Sequence, residues 1–138
     1  MKHKFLEFIP EHIEPNTIYI SIPYATAIHK CCCGCNEEVV TPLTPSDWSL
    51  TFNGESISLN PSIGNWSFKC RSHYWIKNNK VIWAGDWSQE QVDNGRMNDL
   101  YRKEKYYKEK KNINNITNRK PKVNFIIGIL NILKKLFK

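Results

Sequence analysis

Five cysteines constrain this chain more than any other feature. Four fall within five positions, in His29-Lys30-Cys31-Cys32-Cys33-Gly34-Cys35, and the fifth stands far downstream in Cys70-Arg71-Ser72-His73. Near neighbours close only strained disulfides with one another, and thiols packed this densely make poor core residues. Thiolates closing on one soft metal ion fit the spacing, and zinc is the ion expected. The expected ligands are Cys31, Cys33, Cys35 and Cys70, with His73 as a substitute for one of them and His29 also within reach in sequence. Gly34 suits a tight knuckle, and Cys32 should face away if its neighbours bind. Four sulfurs would leave the ion no open position and give it a structural role; a catalytic ion needs one position free.

The chain has 138 residues and 41% hydrophobic content, enough for one modest core and its tails. No stretch approaches the eighteen or so apolar residues of a membrane span. Met1–Phe8 lacks the continuous apolar run of a secretory signal. With its odd number of thiols, the chain is expected in the cytoplasm, where they stay reduced. The net charge of +7 is unevenly spread. Residues 102–138 carry twelve Lys and Arg against two Glu, while residues 1–101 carry eight against eleven Asp and Glu. A slightly acidic domain with a basic tail is the result. The aromatics lie in the acidic part and the bases in the tail, which argues against a nucleic-acid groove.

Residues 17–22 alternate and are β-branched, so they read as a strand, with a second extended path over 24–29 leading into the cysteines. Asn53-Gly54 between 48–52 and 55–59 signals a hairpin, and Asn78-Asn79 signals another between 73–77 and 80–84. A short strand is expected over Trp66–Lys69. Asp86 or Ser88 is placed to cap a polar helix. The expected organisation is a β-rich zinc domain over 1–87, a polar helix over 88–111, a linker over 112–122 and a basic amphipathic helix over 123–138. The fold class is mostly β: a small antiparallel domain stabilised by zinc, with a C-terminal helical tail, α+β overall. The last helix either packs on the domain or binds an anionic membrane surface or an acidic partner.

Two serines and one histidine carry the candidate chemistry. Ser72 and His73 are adjacent, so on a strand they point to opposite faces and make a poor nucleophile–base pair. Alternation over 73–76 sends Tyr74 and Ile76 one way and His73 and Trp75 the other. Ser62, in Asn60-Pro61-Ser62-Ile63-Gly64-Asn65, is the better partner for His73. That segment reads as a loop between strands, with amides near Gly64 available for an oxyanion. Asp47 or Asp86 would orient the imidazole as the third member of a triad.

The Cys31-x-Cys33-Gly34-Cys35 run, the Asn60–Asn65 segment and Cys70-x-Ser72-His73-Tyr74-Trp75-Ile76 through Val81-x-Trp83 stand in an order that resembles a known family. It is a small bacterial domain family of formerly unknown function, encoded in ubiquitination-like operons beside E1-like, E2-like and ubiquitin-like proteins. The resemblance spans roughly residues 15–87; Asn36 stands where a glycine is usual, and Cys32 at a variable position. It implies a peptidase that trims a ubiquitin-like precursor or cleaves its conjugates in the bacterial cytoplasm, by a serine mechanism with bound zinc. It carries over Ser62, Ser72 and His73 as catalytic candidates and the cysteines as metal ligands. The competing readings are a non-enzymatic zinc adaptor that docks E1-like and E2-like proteins, and a hydrolase whose metal is itself catalytic.

Overall fold

The computed structural model describes residues 1–117. The chain divides into two compact units, Met1–Lys103 and Glu104–Lys138. The helix expected over 123–138, and residues 118–122 of the expected linker, lie outside the described residues. Among the described residues no helix is long and apolar enough to cross a membrane.

Among the described residues eight strands make two four-stranded sheets. The first is β1 (Lys2–Phe5), β2 (Thr17–Ser21), β3 (Thr26–Lys30) and β4 (Glu38–Pro42), in that order. The second is β5 (Ser49–Phe52), β6 (Ile57–Gly64), β7 (His73–Lys77) and β8 (Lys80–Trp83). All pairs are antiparallel except β1–β2. A helix, α1 (Gln89–Thr117), follows. The chain is therefore mostly β with a C-terminal helix, α+β overall, as its sequence indicates.

The core draws on both sheets. Ile18, Ile20, Ala27 and Val39 of the first meet Ile57, Leu59, Ile63, Tyr74 and Ile76 of the second. Ile18, Ile20, Ile57 and Ile76 have no exposed surface; each such side chain contributes about 1.5–3 kcal/mol through burial. Strand alternation supplies the inner faces: along β4, Val39 and Thr41 point in while Glu38 and Val40 point out. The Asn78-Asn79 turn has both residues at positive φ, 47° and 61°, as a type I′ hairpin turn requires. At Asn53-Gly54 the loop is longer than a two-residue turn, because the register closes at Phe52↔Ile57. Asn53 Oδ1 caps that loop by accepting from the amides of Glu55 and Ser56 at 3.1 and 2.8 Å.

Strands β1 and β4 are not among the expected elements; Lys2-His3-Lys4-Phe5 has no apolar alternation. Two local expectations are corrected. Trp66–Lys69 is not a strand but a succession of turns, with Phe68 N–H on Asn65 C=O at 3.0 Å and Arg71 N–H on Phe68 C=O at 3.1 Å. The chain must reverse there to carry Cys70 back to Cys31. Residues 112–117 are helical rather than linker. Extending an existing helix through asparagines costs only a few tenths of a kcal/mol each, since nucleation is already complete. Ser88 is the cap: its Oγ accepts from Gln91 N–H at 3.2 Å, and Gln91 Oε1 accepts from Ser88 N–H at 2.8 Å, a reciprocal capping box. In the second unit the helix carries an exposed Glu104–Lys108 pair at 3.3 Å.

One core residue makes stability depend on pH. His29 is fully buried, its Nε2 2.9 Å from the Tyr74 hydroxyl and its Nδ1 without a partner. Burial pushes its pKa down to about 4. The unfolded imidazole, near 6.5, takes a proton first as pH falls. Stability is therefore whole above about pH 6.5 and is lost on the way down to 4, by about 3 kcal/mol from this group. Urea unfolding at pH 7.5 and 4.5 should show a smaller acid loss in His29→Gln than in wild type. Equal losses in the two proteins would remove His29 as the cause.

Candidate active site

Strand β6 is bulged where the candidate nucleophile sits. Leu59 pairs with Ile76 and Ile63 with Tyr74, so four steps on β6 face two on β7. The surplus falls on Asn60-Pro61-Ser62, with a cis peptide between Asn60 and Pro61. Proline has no amide to give a ladder, so a bulge accommodates it where regular pairing would not. The sequence reads this stretch as a loop; it is a distorted strand. The bulge re-aims Ser62. Beyond it regular alternation resumes, with Ile63 and Tyr74 in the core and Gly64 opposite His73 on the other face.

His73 opens β7, and both its ring nitrogens are engaged. Nδ1 lies 2.9 Å from the Gly85 carbonyl oxygen and Nε2 lies 2.9 Å from Ser62 Oγ. A carbonyl only accepts, so Nδ1 carries the hydrogen. Nε2 then presents a lone pair, and the Ser62 hydroxyl donates to it. That is the arrangement of a nucleophile and its general base. The imidazole is buried among indoles, with ring centroids at 4.9 Å for Trp66, 5.1 Å for Trp87 and 5.8 Å for Trp75. Among the described residues no carboxylate takes the orienting role expected of Asp47 or Asp86. Asp47 is held by Lys103 at 2.6 Å and by the Thr44 hydroxyl. Asp86 is exposed, 3.7 Å from Arg71. A backbone carbonyl orients His73 instead, a partner no side-chain motif could reveal.

A cleft of about 610 Å³ opens beside the pair, lined by Trp48, Ser62, Gly64, Trp66, Trp87 and Arg96 among others. Asn65 N–H donates to Ser72 C=O at 2.9 Å, so the adjoining Gly64–His73 pair occupies the non-hydrogen-bonded position of the ladder. The Gly64 amide therefore points to the opposite edge of β6, which β5 covers only as far as Asn60. Gly64 also has no room for a side chain: a Cβ would lie 2.4 Å from Trp66 Nε1 and 2.6 Å from its Cε2. Gly64→Ala should displace the Trp66 indole that packs on His73 and lower turnover at least about tenfold, since ångström-scale misplacement of reacting groups costs up to two orders of magnitude. Wild-type turnover in that variant would show that Trp66 does not set the imidazole.

The thiols gather on the other side of β7. The sulfurs of Cys31, Cys33, Cys35 and Cys70 all lie within 4.8 Å of one another. Separations of 3.4 Å (Cys31–Cys33), 3.9 Å (Cys31–Cys70) and 3.7 Å (Cys35–Cys70) bracket the edge of a tetrahedral sulfur cage, about 3.8 Å for metal–sulfur bonds of ~2.3 Å. These four residues fit one metal ion. Gly34 makes the knuckle at φ +88°, its amide on the Cys31 carbonyl at 3.1 Å. Cys32 stands apart, half-buried against the core. His29 is turned to Tyr74, and His73 is occupied elsewhere.

Ser72 belongs to this cluster and not to His73. Its Oγ accepts from Asn65 Nδ2 at 2.9 Å and lies 3.1 Å from Cys31 Sγ and 3.5 Å from Cys70 Sγ. The hydroxyl thus sits between the two sulfurs, with the Cys70 thiol donating to it. At Cys70 burial opposes ionisation, but its hydrogen bonds with the Ser72 hydroxyl and amide and with the neighbouring thiols favour the thiolate, and its pKa falls to about 6. Cys70 is therefore the sulfur that ionises first, whereas burial holds Cys33 up at about 12 and Cys35 is also raised. Asn65, which fixes the Ser72 hydroxyl, carries no signal that sequence alone would single out.

A family model described as bacterial ubiquitination-like system serine protease (BubE) matches residues 5–84, more than half of the chain. The match includes the four clustered cysteines, Ser62 and His73; Gly85 and Trp87 lie just beyond it. No curated protein and no solved structure matches the chain.

Proposed function

The chain belongs to the bacterial ubiquitination-like system serine protease (BubE) family, and on that premise we propose that it hydrolyses amide bonds of a ubiquitin-like protein, with Ser62 as nucleophile and His73 as base. The substrate is the precursor of that protein or its conjugates. The observation that carries the reading is the 2.9 Å contact of Ser62 Oγ with His73 Nε2, combined with an Nδ1 committed to a carbonyl. An adaptor that only docks E1-like and E2-like proteins would have use for a metal cluster but none for this pairing.

The steps follow from the proton positions. As Ser62 Oγ attacks the scissile carbonyl carbon, its proton passes to His73 Nε2. The imidazolium so formed is steadied by the Nδ1–H donated to Gly85. The Gly64 amide, aimed away from β7, is the oxyanion donor in this reading. Nε2 returns the proton to the leaving amine nitrogen as the C–N bond breaks, leaving an ester on Ser62. A water then gives a proton to Nε2 as its oxygen attacks the ester carbon; the bond from that carbon to Ser62 Oγ breaks, Nε2 returns the proton to Oγ, and the carboxylic acid product leaves. Zinc, held by Cys31, Cys33, Cys35 and Cys70, supplies structural cross-linking when bound, because four thiolates saturate it.

A fluorophosphonate probe tests this without knowledge of the cleavage motif, alongside cleavage of a ubiquitin-like precursor from the same pathway. The expected outcome is one covalent adduct, mapped to Ser62 by mass spectrometry, with cleavage lost on labelling. An adduct on Ser72, or cleavage that proceeds undiminished after Ser62 is fully labelled, would overturn the assignment.

A further inference from the structure

The group that orients His73 is a glycine carbonyl, and glycine is the residue whose backbone turns most freely. Residues 84–88 belong to no strand or helix. The segment is pinned at one end by Ala84 N–H on the His73 carbonyl at 2.9 Å and at the other by the Ser88 cap. Between these points something must hold the Gly85 carbonyl against the imidazole.

Arg71 is placed to do so. Its Nη2 donates to the Trp87 carbonyl at 2.9 Å and lies 3.7 Å from Asp86 Oδ1. Its guanidinium rests over the Trp66 ring at 5.4 Å, and Trp66 stacks on Trp87 with centroids 5.5 Å apart. Arg71 itself adopts φ +45°, a conformation disfavoured for a residue with a side chain. It sits between a clustered cysteine and Ser72, with its amide on the Phe68 carbonyl at 3.1 Å. A planar fork with several donors can serve the Trp87 carbonyl and Asp86 while stacking on an indole; a lysine ammonium has no planar fork and does not stack.

We propose that Arg71 is a positioning residue of the Ser62–His73 pair, tying the Gly85–Trp87 segment to the turn that carries Cys70 so that the Gly85 carbonyl stays on His73 Nδ1. The inference rests on Ser62 and His73 being the reacting pair. It adds a side-chain tie between the turn that carries Cys70 and the carbonyl that orients the base.

The experiment compares wild type, Arg71→Ala and Arg71→Lys, each checked for metal content and melting temperature, using the fluorophosphonate probe alone. Arg71→Ala should lower the maximal labelling rate about 10- to 100-fold and leave the probe's half-saturation concentration within about twofold. Arg71→Lys should fall between. A maximal rate equal to wild type, or a loss confined to half-saturation, overturns the proposal. If Arg71→Ala does not fold, Arg71→Lys decides by the same two readings. Failure of wild type to label at Ser62 would instead remove the serine mechanism, so the two failures are distinct.

Discussion

Ser62→Ala should abolish both hydrolysis and fluorophosphonate labelling, whereas Ser72→Ala should retain both. The two serines differ in where their protons go. Ser62 donates to a base nitrogen whose partner nitrogen is already protonated. Ser72 accepts from Asn65 and faces Cys31 and Cys70. Loss of an activated serine costs about 10³- to 10⁶-fold in turnover, and removing its base as well adds little, because the two act as a unit. Ser62→Ala, His73→Ala and the double variant should thus fall to a common floor. Ser72→Ala should instead bind its metal about 10- to 100-fold more weakly, the usual effect of losing a group that supports ligand atoms. Wild-type cleavage by Ser62→Ala, or a dead Ser72→Ala with full metal content, would reverse the roles.

Removing the metal should cost more than any single core residue. A structural zinc site in a small domain supplies on the order of 10–16 kcal/mol, against a total stability of about 5–15 kcal/mol for an ordinary domain. Chelation, or Cys70→Ser, should therefore abolish cooperative melting and activity together. Cys32→Ser should keep one equivalent of metal, since Cys32 lies outside the sulfur cage. Circular dichroism followed alongside activity separates structural from chemical loss. A chelated protein that melts at the wild-type temperature would show that the sulfurs are not fastening the fold.

Much of this site was legible in the sequence because it rests on periodicity and on rare residue types. Alternation over 73–76 separates Tyr74 and Ile76 from His73, and the structure sends Tyr74 and Ile76 to the core and His73 to the cleft. The same alternation turns Ser72 to the thiols and away from the imidazole. Four thiols in five positions, with a fifth to close the cage, announce a metal ligand set, and Cys31, Cys33, Cys35 and Cys70 converge. Other features left no trace a pattern could show. The bulge at Asn60–Ser62 depends on register between two strands, so a Pro-containing segment reads as a loop. The turns over Trp66–Lys69 are dictated by the need to return Cys70 to Cys31, a tertiary demand that overrides local β propensity. Strand β1 gains its place by parallel pairing with β2, which its own four residues do not signal. The asparagines of 112–117 suggest a break, yet the helix runs on through them.

The hydrogen bond from His73 Nδ1 ends on main chain, and this has a consequence for variation within such enzymes. A side-chain carboxylate can be deleted by one codon change; a peptide oxygen is present whatever residue occupies position 85. Selection can therefore act on this contact only through the path of the backbone, and substitutions that impair it will map to residues that steer the chain. A mutagenesis search for a third member beside the pair would then find residues that steer the chain, Arg71 among them, and not the group that touches the imidazole.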